Sequence, residues 1–256
     1  MISVDGNIYV EDLERGVSTQ LTFTAEAEAF PVWAPWGVVF GHQVPELFFR
    51  PFDRSREVET LVSGAEGLLY AYDVDPGGRY ILYGVRLFGA NYDILQLERS
   101  PDGALAEPKV FFADPFETVD AQISPDGRYV AYSSRVTDRW DVFVQPFPNG
   151  GPQVQITPEG GAQVRWNANG KELFFVSGGT LYAVEVTVEP EFRSGKPRTL
   201  FSHDALKTGI ARPQYAVAPA GDRFLFAESV DDNERQQSQI RVVLNWFVEF
   251  RDRERD

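Results

Sequence analysis

A chain of 256 residues with 43% hydrophobic side chains holds enough apolar material for one large all-β domain or two small ones, which argues against intrinsic disorder. Its 24 Lys and Arg stand against 38 Asp and Glu, a net charge of −14, so it lacks the basic surface that a phosphate backbone requires, and no nucleic-acid partner is expected. With no Cys and 2 His it has no disulfide and no thiolate nucleophile, and it cannot build a structural zinc site.

In chain order, the opening Met1-Ile2-Ser3-Val4-Asp5-Gly6 has neither a basic segment nor a continuous apolar run, so it does not read as a secretory signal. Asn7 to Leu13 and Ser18 to Phe23 read as two outer strands of a partial repeat over residues 1–23, because Ile2 to Val10 lines up with Phe175 to Ala183. The uncharged stretch Ala29 to Pro45 is broken by Pro31, Pro35, Gly37 and Gly41, so no membrane-crossing helix is expected. Within it, Trp33-Ala34-Pro35-Trp36-Gly37-Val38-Val39-Phe40 is the first of five related turns. The next is Val74-Asp75-Pro76-Gly77-Gly78-Arg79-Tyr80-Ile81-Leu82-Tyr83, and the clearest is Ile123-Ser124-Pro125-Asp126-Gly127-Arg128-Tyr129-Val130-Ala131-Tyr132. Trp166 to Phe175 repeats it with Ala168 in place of the proline, and Val217 to Phe226 repeats it around Pro219. The last residues, 251–256, alternate in charge sign and read as a solvated tail.

Anchored at Pro35, Pro76, Pro125, Ala168 and Pro219, the turns recur at steps of 41, 49, 43 and 51 residues, the period of propeller blades. The chemistry suits a tight hairpin: Pro fixes φ, Asp or Asn bonds the backbone two residues on, and Gly accepts positive φ. Each turn is followed by short β-rich runs, as in Lys171 to Val176, Thr180 to Val188 and Arg198 to Phe201, which gives four strands per repeat. The expected fold is an all-β, β-propeller domain of four-stranded antiparallel blades over residues 1–250. Five anchors and one partial blade predict six blades with the N-terminal one truncated; a five-bladed ring closed by the terminal strands is the alternative.

From Asp138 onward the sequence resembles the WD-like, TolB-like propeller domains at the C-terminus of bacterial receptor-type serine/threonine kinases and related regulators. Trp140-Asp141-Val142-Phe143-Val144-Gln145-Pro146-Phe147-Pro148 is similar to that family's outer strand. Glu172-Leu173-Phe174-Phe175 with Leu181 to Val186 is similar to its next blade, and Ile240-Arg241-Val242-Val243-Leu244-Asn245-Trp246-Phe247 to its closing strand. The resemblance is weak before residue 70. It implies a sensory or scaffolding propeller without catalytic residues of its own, and no glycine-rich loop, His-Arg-Asp or Asp-Phe-Gly kinase motif is present.

Positions two before each anchor, Trp33, Val74, Ile123, Trp166 and Val217, are expected in the packing between blades by period-2 alternation. Positions three before hold Val32, Asp73, Gln122, Arg165 and Ala216; positions five before hold Phe30, Ala71, Asp120, Gln163 and Gln214. Inner strands of a propeller line its channel, so Asp73, Asp120, Gln122, Gln163, Arg165 and Gln214 are the candidate binding residues. Trp36, Phe48, Phe49, Phe52, Trp140, Phe147 and Trp246 are aromatics divided between packing and surface.

Catalytic and metal readings are weaker. Gly16-Val17-Ser18-Thr19-Gln20 lacks the final Gly of a nucleophile elbow, and Ser202-His203-Asp204 reads as a polar loop. Counting twelve from Asp73 reaches Gly84 where a calcium loop needs Glu, and Asp231-Asp232-Asn233-Glu234 is a loop cluster of oxygen ligands. The expectation is a non-catalytic module without cofactor, a piece of a larger signalling protein that binds a protein or peptide and can self-associate through its truncated blade. A propeller of a peptidase or glycan-processing enzyme is the alternative. The compartment is open: cytoplasmic by default, extracytoplasmic if the chain belongs to a membrane-anchored parent.

Overall fold

The computed structural model describes residues 2–4, 6–12, 15–23, 28–42, 45–52, 57–87, 92–113, 115–136, 138–207, 214–228 and 239–243. Among these there is no helix, and 23 strands form six antiparallel sheets. The first sheet is β1 (Ile2–Val4), β2 (Asn7–Asp12) and β3 (Val17–Gln20), in that order. The second is β4 (Glu28–Ala34), β5 (Gly37–His42), β6 (Leu47–Arg50) and β7 (Glu59–Val62). The third is β8 (Gly67–Val74), β9 (Tyr80–Leu87), β10 (Tyr92–Glu98) and β11 (Lys109–Phe112). The fourth is β12 (Thr118–Ile123), β13 (Tyr129–Ser134), β14 (Asp141–Pro146) and β15 (Val154–Gln155). In the fifth, β16 (Ala162–Trp166), β17 (Glu172–Ser177) and β18 (Thr180–Thr187) are neighbours, and β19 (Arg193–Ser194) and β20 (Arg198–Ser202) pair with different stretches of β18. The sixth is β21 (Tyr215–Val217), β22 (Phe224–Glu228) and β23 (Gln239–Val243). This is the sheet pattern of a β-propeller.

Two compact units divide the chain: residues 1–123 with 127–130 and 146–151, and residues 124–126, 131–145 and 152–256. In the first, Val39, Leu47, Leu69, Ile81, Tyr83 and Leu97 form the core between the second and third sheets. Gly41 permits that approach, because a Cβ there would lie 2.4 Å from the Leu69 carbonyl oxygen. In the second unit, Phe174, Leu181, Phe201, Tyr215, Phe224 and Phe226 form the core between the fifth and sixth sheets.

Four of the five turns close by the chemistry read in the sequence. In the third sheet the Gly78 amide donates to the Asp75 carbonyl at 2.8 Å, while the Asp75 side chain accepts from the Gly77 and Tyr80 amides. Asn167 and Ala218 accept from Gly170 and Gly221 in the same way, and Ser124 donates to Asp126 at 2.5 Å. The glycine two after the anchor is left-handed at Gly78, Gly127, Gly170 and Gly221, with φ of 69°, 74°, 69° and 73°. The Pro35 turn is shorter, since Ala34 pairs directly with Gly37.

A second repeat lies in the outer strands. Thr22 Oγ1 accepts from the Ile8 amide and Thr157 Oγ1 from the Val142 amide, each at 2.9 Å, in the matching triplets Gln20-Leu21-Thr22 and Gln155-Ile156-Thr157. Each Gln side chain donates to the carbonyl of its own Thr at 2.8 Å. The first sheet therefore shares this outer-strand construction with the fourth.

One packing expectation is corrected. Val74, Ile123 and Trp166 are buried and Val217 packs against the core, but Trp33 is 49% exposed. Trp33 shares a face with Val38, which packs with Ile8, Leu21 and Phe40 toward the first sheet. That sheet has three described strands, so the part of the face carrying Trp33 stays open and its ring lies 5.3 Å from Phe52 instead. Among the other aromatics Phe49 and Phe147 are buried, Phe52 is exposed, and Trp36 lies between Phe49 and the Arg99 guanidinium. Trp246, residues 231–234 and the tail 251–256 lie outside the described residues.

Candidate functional site

The candidate residues sit on the first strand of their sheets or just before it, where the backbone departs from regular pairing. Phe30, Asp120 and Gln163, all five residues before an anchor, have φ of 56°, 58° and 60°, the left-handed region that side chains other than Gly seldom adopt. Pairing slips at the same place: between Ala29 and Val32 in β4, Ala71 and Asp73 in β8, and Ala162 and Arg165 in β16. Each slip is a β-bulge, which frees a residue from the ladder and re-aims its neighbours.

In the first unit β8 and β12 exchange hydrogen bonds directly. The Asp73 carboxylate accepts from its neighbour Val74 at 2.9 Å and from the Ile123 amide on β12 at 2.8 Å. In return Gln122 Nε2 donates to the Tyr72 carbonyl at 3.0 Å and to that of Ala121 at 3.3 Å. Asp73 and Gln122 are half-buried, whereas Asp120 is only 3% exposed. Burial, reinforced by the nearby Asp120 carboxylate, pushes the Tyr72 phenol well above its ordinary range. Gly84 makes room for that ring, since a Cβ there would lie 2.3 Å from the Tyr72 hydroxyl.

In the second unit Gln163, 1% exposed, is the centre of a corresponding network. Its Oε1 accepts from the Gln214 amide at 2.9 Å and its Nε2 donates to the Lys207 carbonyl at 2.8 Å. The Tyr215 hydroxyl donates to the Gln163 carbonyl at 2.8 Å, and the Gln163 amide donates to Ser133 Oγ at 3.1 Å. Gln214 Oε1 accepts from the Lys207 amide at 2.8 Å. Arg165 donates to the Val164 carbonyl and lies 6.0 Å from the Tyr215 ring centre. Of the six candidates, Asp73, Gln122, Arg165 and Gln214 retain partial exposure, while Asp120 and Gln163 are enclosed.

The sequence did not single out a cluster of aromatic rings at the opposite end of the strands from the turns. Tyr92 pairs across the ladder with Arg86, whose guanidinium lies 5.4 Å from the Tyr92 ring centre. Tyr70 lies 5.6 Å from Tyr92 and 4.7 Å, edge-on, from Phe30. Its only sequence signal is period-2 spacing, Tyr70 and Tyr72 on either side of Ala71.

Ser202 Oγ shares a hydrogen bond with Thr180 Oγ1 at 2.8 Å, and His203 Nδ1 accepts from the Ala205 amide at 3.1 Å. Among the described residues no group of three or more His, Cys, Asp or Glu could hold a metal ion. None of their helices could cross a membrane, since none is present.

No sequence-family model matches the chain, and no curated protein sequence does. Solved structures do. TolB from Acinetobacter baumannii superposes with a TM-score of 0.71 at 16% identity, over 93% of this chain and 57% of that one. A TolB-type protein from Agrobacterium tumefaciens gives 0.70 at 14% identity, over 94% and 85%. The periplasmic gluconolactonase of Pseudomonas aeruginosa gives 0.61 at 14% identity, over 93% and 78%. The fold is that of the TolB-like and WD-like β-propellers.

Proposed function

We propose that the chain is a recognition module of a signalling protein, which binds a protein or peptide along its inner strands and does not transform it. The observation that supports this reading is a pair of half-buried polar side chains three residues before their anchors, Asp73 beside the bulge in β8 and Gln122 on β12. Asp73 and Gln122 already recognise peptide groups, those of the neighbouring strand, and this is the chemistry an added extended segment would use. The fold itself is neutral on catalysis, since a gluconolactonase shares it.

A random peptide library panned on the purified chain tests the reading. Specific peptides should be enriched, and Gln122→Ala, checked for unchanged melting, should weaken them about tenfold, as for a contact at an interface centre. Reproducible turnover in glycosidase, lactonase, esterase or peptidase assays, abolished by Asp73→Asn or Asp120→Asn, would overturn it.

A further inference from the structure

We infer that the edge of β1, with the Trp33 and Phe52 rings beside it, is a docking surface for one extended strand of a partner protein, a strand with apolar side chains at alternate positions and one carboxylate among them. The surface is separate from Asp73 and Gln122, and the inference does not rest on the recognition reading.

Strand register identifies the occupant's place. Thr22 accepts from β2 as Thr157 does from β14, so β2 matches the third strand of the fourth sheet and β3 the fourth. β1, which pairs with β2, then matches the second strand, and no described strand stands in the first position. Where the preceding sheet does have its first strand, the next sheet is covered: Val74, Ile81 and Leu97, a row across β8, β9 and β10, are buried in one core with Val32 and Ala34 of β4. The same row across β4, β5 and β6 is Trp33, Val38 and Arg50. Val38 packs with Ile8 and Leu21, yet Trp33 is half exposed, and Phe52, 5.3 Å from its ring, is 47% exposed. An added strand would cover both rings while its backbone pairs with β1, as a first strand does in the other sheets.

Arg50 sets the polar part of the occupant. The corresponding residue of the row is Leu97 in the third sheet and Val184 in the fifth, both buried. Arg50 Nε is buried and, among the described residues, has no acceptor. A guanidinium N–H held from water without an acceptor is costly, and a carboxylate relieves that cost with a charge-assisted bond. A second copy of the chain fits poorly. Its own β1 offers three residues where β4, β8 and β12 have seven, eight and six, and each copy brings a net charge of −14.

The probe is a displayed octapeptide library with Val, Ile, Asp or Glu at alternate positions and the rest random, panned on the purified chain. Enriched peptides should carry one Asp or Glu among apolar residues at the alternate positions. They should bind Trp33→Ala and Arg50→Gln, each checked for unchanged melting, about tenfold more weakly. Gln122→Ala should bind them as the unaltered chain does, and exchanging their acidic residue for Asn or Gln should abolish the difference between Arg50 and Arg50→Gln. Bound peptide should slow amide hydrogen exchange in residues 2–4. Failure to enrich, peptides held equally by Trp33→Ala, or unchanged exchange in residues 2–4 would overturn the inference. So would a dimer in sedimentation that Trp33→Ala dissolves, which would make a second copy the occupant. None of these results bears on recognition through Asp73 and Gln122, which Gln122→Ala tests separately.

Discussion

Tyr83 is 1% exposed in the core between the second and third sheets, and burial pushes its phenol up to about 12 from an ordinary 10.0. The folded chain therefore holds this proton where the unfolded chain has lost it. Below about pH 10 both states are protonated and the contribution of Tyr83 is complete; as pH rises from 10 to 12 it drains away. The loss is on the order of 2–3 kcal/mol, and Tyr72, raised by burial and by Asp120, acts in the same direction. Urea midpoints measured from pH 9 to 12 should fall steeply for the unaltered chain and less steeply for Tyr83→Phe. Identical slopes would mean that Tyr83 ionises as freely in the folded chain as in the unfolded one.

Among elements, the inner strands are stitched by side chains as well as by sheet packing. Asp73 serves two amides at once, so Asp73→Ala strands both, at a cost of about 2 kcal/mol for amides left without their acceptor. Asn keeps one oxygen in place, so Asp73→Asn should lose about half as much. Chemical denaturation ranks the three forms, and an Asp73→Ala chain as stable as the parent would show that β8 and β12 are held without this contact. The same elements show what could be read from sequence. Turn positions were legible because Pro, Asp, Asn and Gly act within four residues of themselves, as at Asp75 to Gly78. The bulges were not legible, because left-handed backbone at Phe30 and Gln163 is imposed by the neighbouring strand, and neither residue type announces it. Trp33 was misplaced for a related reason: alternation gives its face correctly, but not whether anything lies opposite.

For the whole molecule, periodicity in turn chemistry was sufficient to predict an all-β propeller, and the sheets and the TolB-type structures agree with it. Asp73, Gln122, Arg165 and Gln214 are partly exposed, but Asp73 and Arg165 sit beside bulges that no local pattern encodes, and all four are engaged with backbone groups. Arg86 and Tyr92 escaped notice because they meet across a hairpin rather than within a repeat. Peptide recognition through the inner strands, as proposed, can be tested by hydrogen exchange of the chain with and without a selected peptide. Protection should rise in segments 67–74 and 118–123, with the peptide recovered intact. Protection confined to the outer strands at 59–62 and 109–112, or cleavage of the peptide during the experiment, would contradict it.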